Sequence, residues 1–246
     1  MSDSIEQINT FCVLKNDDGS NWTPVMIQEF SSVIDIPMRK RNNAYTTSKN
    51  IAYSLQYIQY LQKQLDTVYL TDVLERMVCK NYIITAMSII EAIFAYLVKD
   101  SGNWKASEWK SIHKIKIDNQ KPFELEGRTL KVQVEVFEKV DAQIAELQFD
   151  AIIDKVRSNK LMRFRTEEAF DLLKKFKSIR NKIHLHITQD ATDYKSFDKD
   201  LQTKMKYILS AVLKNEAICK NATKAEEIYS FLDLRDDEKE IIGLHE

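Results

Sequence analysis

The stretch YIITAMSIIEAIFAYLV, residues 82–98, constrains this chain more than any other. Laid on a helix it is apolar on most sides, with Ile83, Ile84, Ile89, Ile90, Ile93, Phe94, Tyr96 and Leu97 spread around the axis. Small and polar residues (Asn81, Thr85, Ser88, Ala92, Ala95) recur at intervals of three and four. Such a helix must be buried by other helices or by a partner subunit. A membrane span is the competing reading, but the run is short for one. It also carries Glu91 near its centre, and an ionised carboxylate is costly in lipid. The expectation is a buried helix of a cytoplasmic protein with no membrane partner. Within a longer helical reading over 70–99 it would extend about 45 Å.

The rest of the chain reads as helix too. Only four glycines and three prolines interrupt 246 residues, which disfavours the many tight turns of a β-sandwich or an α/β barrel. Apolar periodicity predicts helices over 46–66, 136–158, 166–187, 196–215 and 222–233. Alternation in IKI and LKVQVEV, around Pro122 and Gly127, predicts strands. The fold class expected is therefore all-α, with a short β-hairpin insertion near residues 112–136. A single domain over 1–246 is expected, with an irregular N-terminal extension at 1–45 and the insertion at 105–135. The N-terminus lacks the basic and apolar regions of a secretory signal. Cys12, Cys79 and Cys219 are far apart and form no CxxC pair, so buried or idle thiols are expected and no metal site. The glycine-rich nucleotide loops and the nucleophile elbow of hydrolases are absent, and no cofactor is expected.

A formal charge of −1 excludes a globally basic nucleic-acid coat. The charge is unevenly spread, however. Residues 154–186 hold ten Lys/Arg against four Asp/Glu, whereas 216–246 hold four against nine. A basic segment leading into SIRNKIHLH, residues 178–186, suits a phosphate-binding groove as well as it suits a solvated helix face. On a helical wheel centred on Phe176, Ala169, Leu172, Leu173, Ile179, Ile183 and Ile187 form one core-facing stripe. Arg180 lies about 40° from its centre and His184 about 80°, on the same flank, as neighbours at i and i+4. His186 lies on the other flank, roughly 120° from Arg180, and Asn181 points further outward. The two imidazoles diverge by about 200°, and no Cys, Asp or Glu stands at ligand spacing, which argues against metal.

An arginine at the edge of a core stripe needs an anion, and an adjacent histidine does not supply one. A carboxylate or a phosphate does. The permanently charged guanidinium and a histidine that titrates near neutrality together make a kit for RNA cleavage. Glu91 in the apolar helix needs a partner in turn, and Arg180 is the obvious candidate. The tyrosines Tyr53, Tyr57 and Tyr60 lie at helical spacing, a pattern more often core or interface than a base-stacking platform.

RNKIHLH, preceded by the helix TEEAFDLLKKFKSI, resembles the signature of the HEPN superfamily, small α-helical domains of prokaryotic toxin and antiviral systems. Their pattern is an arginine, four to six residues, then a histidine, often with a polar residue after the arginine. ITAMSIIEAIFAYL, 84–97, resembles their long helix with its acidic residue, and FDAIIDKVRSNKLM resembles the segment before the motif. The likeness spans roughly 70–215. It implies an up-and-down helical bundle, frequently homodimeric, and a metal-independent endoribonuclease in toxin or antiphage defence, with RNA as partner and a cognate antitoxin. Arg180, Asn181 and Glu91 carry over by position. The family's count selects His186, with five intervening residues, while helical geometry prefers His184, with three; both remain candidates. Lys177 and Lys182 would bind flanking phosphates. The alternative is a non-catalytic α-helical module that holds RNA, a nucleotide or a protein in the same groove.

Overall fold

The structure is a computed structural model that describes residues 14–16, 18–36, 44–104, 106–115, 122–132, 134–144, 147–180 and 193–243. In chain order these form α1 (Ile27–Val33), α2 (Ala44–Thr67), α3 (Asp72–Asp100), strands β1 (Ala106–Ile115), β2 (Phe123–Leu125), β3 (Arg128–Leu130) and β4 (Val134–Ile144). There follow α4 (Phe149–Ser158), α5 (Glu168–Arg180), α6 (Asp193–Ser196), α7 (Lys199–Leu213), α8 (Ala222–Ile228), a 3-10 turn (Ser230–Leu232) and α9 (Asp236–Ile242). The architecture is mostly helical, as expected.

The apolar run does become the central helix. Asp72 and Glu75 occupy the first turn of α3 and Lys99 the last, each suiting the helix dipole. Gly102, at φ +76°, ends it: the Gly102 and Asn103 amides donate back to the carbonyls of Lys99 and Val98, closing the last turn. α2, α4, α5, α6 and α7 all pack against α3. Tyr82, Ile83, Ala86, Met87, Ile90, Ile93 and Phe94 are fully enclosed as a result. Each large side chain so buried contributes about 1.5–3 kcal/mol. α3 is long and apolar enough to cross a membrane, and just over half of its most apolar stretch is buried inside the protein.

Elsewhere the elements depart from the periodicity. The helix expected over 136–158 is strand as far as Ile144, and only Phe149–Ser158 is helical. The insertion is accordingly longer than the hairpin expected near 112–136: β1 pairs with β4 in antiparallel register from Ala106↔Ile144 to Ile115↔Val134, and β2–β3 form an inner hairpin. β4 pairs with β1 from some twenty to forty residues earlier, a long-range ladder that overrides local helix periodicity. The helix expected over 196–215 breaks at Phe197, which is buried, and Asp198 restarts it by accepting the Leu201 amide at 2.8 Å. The last expected helix stops at Ile228 and continues as the 3-10 turn.

The N-terminal stretch contributes a short helix. Phe30 on α1 is fully buried and stacks on Tyr229, ring centroids 6.1 Å apart, and Ile34 bridges to Cys219. At the C-terminus, Glu238 on α9 accepts from the Lys206 ammonium of α7 at 2.9 Å. Both side chains are almost fully enclosed, and the Arg235 guanidinium lies 3.3 Å from the other carboxylate oxygen. A buried pair of this kind fixes where the terminal helix docks.

Candidate functional site

The site expected from the sequence gathers around the end of α5. Arg180 is the last residue of that helix. Its side chain, and Asn181, Lys182, His184 and His186 with it, lie outside the described residues. Glu91 and Lys177 are described, and their surroundings define what the motif grows out of.

A ladder of ion pairs sets the geometry. Lys177 of α5 pairs with Asp150 of α4, Lys174 with Asp154 at 2.6 Å, and Arg157 with Asp171 at 3.5 Å. Numbers fall along one helix as they rise along the other, so α4 and α5 run antiparallel. Both pack on α3, where Phe149 lies 6.4 Å from Phe94. The Asp150–Lys177 rung therefore brings the C-terminal turn of α5 to the level of Phe94. Glu91, half-buried, stands one turn back along α3. These pairs are largely exposed, and each contributes at most about 1 kcal/mol; their value is alignment. Lys177, expected on phosphate, is half-buried and held by Asp150.

At the other end of α5 the structure reveals cations that the sequence reading passed over. The loop between α4 and α5 opens with Lys160 at φ +53°, a left-handed position that glycine fills without cost. The loop is pinned by Phe164, edge-on to Phe170 with centroids 4.9 Å apart, and by Asn215, whose amide donates to the Arg163 carbonyl at 2.7 Å. Arg163 and Arg165, on either side of the pinned ring, are exposed and have no carboxylate partner among the described residues. They line a groove of about 530 Å³ together with Thr166, Tyr207, Ser210, Lys214 and the carboxylates Glu216 and Glu226. Lys214 is paired with Glu226 and Asp233. Burial alone would lower its pKa, but the two carboxylates outweigh burial and hold it above the ordinary lysine value. Two guanidinium forks with no carboxylate partner among the described residues, beside hydroxyls, are a donor set for an anion. The signal was present in MRFRT: an apolar residue between two arginines puts the charges on one side once the ring is anchored.

The tyrosine run on α2 is an exposed stripe rather than core. Tyr53, Tyr57 and Tyr60 are each 40% or more exposed, and the rings of Tyr57 and Tyr60 stack at 6.4 Å. Among the described residues no cluster of side chains suited to a metal ion occurs. Comparison of the chain with family models, with curated proteins and with solved structures finds no match.

Proposed function

We propose that this chain is a metal-independent endoribonuclease of HEPN type, an up-and-down helical bundle acting in cytoplasmic toxin or antiphage defence. The observation that carries the reading is the seating of the α5 C-terminal turn on α3, one turn from half-buried Glu91. Arg180 emerges there, from a helix whose approach is strongly basic. In this mechanism the ribose 2′-oxygen attacks phosphorus while a neutral imidazole, His184 or His186, takes its proton. The bond to the 5′-oxygen breaks, and that oxygen receives a proton from an imidazolium. Arg180 stabilises the charge building on the phosphoryl oxygens, Glu91 orients the guanidinium and Asn181 positions the scissile phosphate. Lys182 binds a flanking phosphate, whereas Lys177 is committed to Asp150.

A second reading, a non-catalytic RNA- or nucleotide-binding module, is favoured by the Arg163–Arg165 groove, which lies at the far end of α5, about 20 Å from Arg180. One experiment separates the two. Labelled RNA is incubated with the protein in EDTA, beside Arg180→Ala and a His184→Ala/His186→Ala double variant. Cleavage by the wild type, reduced about 10²- to 10⁴-fold in both variants, supports the enzyme. Binding without cleavage, weakened by Arg163→Ala/Arg165→Ala, replaces it with the second reading.

A further inference from the structure

The groove beside the α4–α5 loop has two fixed walls. On the loop side, the Lys160 and Leu161 amides donate to the Arg157 and Val156 carbonyls at 3.1 and 3.0 Å and close off α4. The Phe164 ring is anchored on Phe170, and Asn215 ties the Arg163 carbonyl to the end of α7. Arg163 and Arg165 thus stand on a backbone held at both ends, which spares a ligand the cost of ordering it. α7 supplies the other wall through half-buried Tyr207 and Ser210, and buried Ala169 and Ile208 form the floor.

The charges of this groove are sorted rather than cancelled. Lys214 is engaged by Glu226, and by Asp233 at 2.8 Å. Two exposed guanidinium groups and the exposed Glu216 carboxylate remain, and none of the three has an oppositely charged partner among the described residues. Opposite charges that share a hollow without pairing suit a ligand with two ends, one anionic and one rich in hydroxyl donors. A terminal phosphate meets the first requirement, since at about −1.5 to −2 charge near pH 7 it matches two guanidinium forks. A backbone phosphodiester carries a single charge, and a long strand laid here passes Glu216 and Glu226, which repel it. Ribose meets the second requirement, because a carboxylate accepts from its hydroxyls. The volume, about 530 Å³, falls in the range of small-molecule sites, roughly 300–1,000 Å³.

We propose that this groove binds a phosphorylated ribose compound, its terminal phosphate held by Arg163 and Arg165 and its ribose hydroxyls donating to Glu216. A mononucleotide and a sugar phosphate share that chemistry; only the nucleotide adds a base for the Tyr207 ring to contact. The proposal rests on the groove invoked by the second reading above and narrows its ligand from an RNA strand to a small ester. It holds whether or not Arg180 cleaves RNA.

Calorimetric titration of the full chain with AMP, ribose 5-phosphate, adenosine and inorganic phosphate tests it. Both esters are expected to bind with a Kd below millimolar, and adenosine and inorganic phosphate at least about tenfold more weakly. AMP tighter than ribose 5-phosphate identifies a nucleotide site, and equal affinities a sugar-phosphate site. Arg163→Ala/Arg165→Ala should weaken both esters by at least about thirtyfold, with helical circular dichroism unchanged because both side chains are exposed. Glu216→Ala separates the two ends of the ligand. It should weaken the esters about three- to tenfold yet bind inorganic phosphate more tightly, since a nearby negative charge is gone. Esters that fail to bind at millimolar concentration, or inorganic phosphate that binds as well as they do, overturn the proposal. So does an arginine variant of unchanged affinity, or a Glu216→Ala effect of the same sign on ester and phosphate. None of these outcomes bears on the RNA cleavage assay, so the site and the nuclease reading fail separately.

Discussion

Phe94 and Phe137 are the same side chain in two different molecular environments. Phe94 sits on α3 with no exposed surface and touches a ring from another helix; Phe137 stands half in water on a ribbon that no helix covers. The contrast extends to the regions around them. In the helical body even charges are enclosed in pairs, as Lys206 and Glu238 are, so that removing one group leaves another stranded. In the ribbon, cohesion comes from a backbone ladder and cross-strand pairs, each contributing about 0.2–1 kcal/mol. One region derives its stability from within, and the other presents surface.

The sharpest way to break this comparison is to make one substitution in both places, starting where the effect is largest. Phe94→Ala removes a ring from a close-packed core and should destabilise the protein by about 3–5 kcal/mol, read from urea unfolding followed by helical circular dichroism. A loss below about 1 kcal/mol would mean that α3 is not the centre of the body.

That contrast also explains what could be read from the sequence. α3 was legible because a helix apolar on most sides must be buried by others, and α2 because its apolar residues keep helical spacing along its whole length. β4 was misread because VEVFEKVDAQI supports a helical and an extended pattern about equally, and the choice is made by β1, at a distance no local window reaches. The Lys206–Glu238 contact was hidden for the same reason: an acidic C-terminal segment looks like solvated charge until α9 docks on α7. Among the residues of the candidate site, Glu91 was legible as a half-buried carboxylate on an apolar helix. The Asp150 partner that engages Lys177 belongs to another helix and carried no mark in the sequence.

A smaller effect separates the regions by pH. Burial, reinforced by the Glu75 carboxylate, pushes the Cys79 thiol up to about 12. Burial, with Glu238 next in importance, likewise raises the Tyr82 phenol well above its ordinary range. Both groups stay protonated in the folded body, whereas in the unfolded chain the thiol ionises near 9.0 and the phenol near 10.0. Above those values the unfolded state has lost protons that the native state keeps, so stability falls as pH rises. Their contribution is complete below about pH 9 and declines upward toward pH 12, by roughly 1 kcal/mol per pH unit for each group. Unfolding midpoints near pH 8 and pH 10.5 check this. Cys79→Ala should flatten the decline, and an unchanged slope would remove Cys79 from the account.

The smallest expected effect is the most informative about the ribbon. Phe137→Ala, measured at submicromolar protein, should change the unfolding free energy of the helices by less than about 0.5 kcal/mol, because an exposed ring has little burial to lose. A cost of several kcal/mol in dilute solution would instead show that the ribbon folds back on the body, and the difference between Phe94 and Phe137 would disappear.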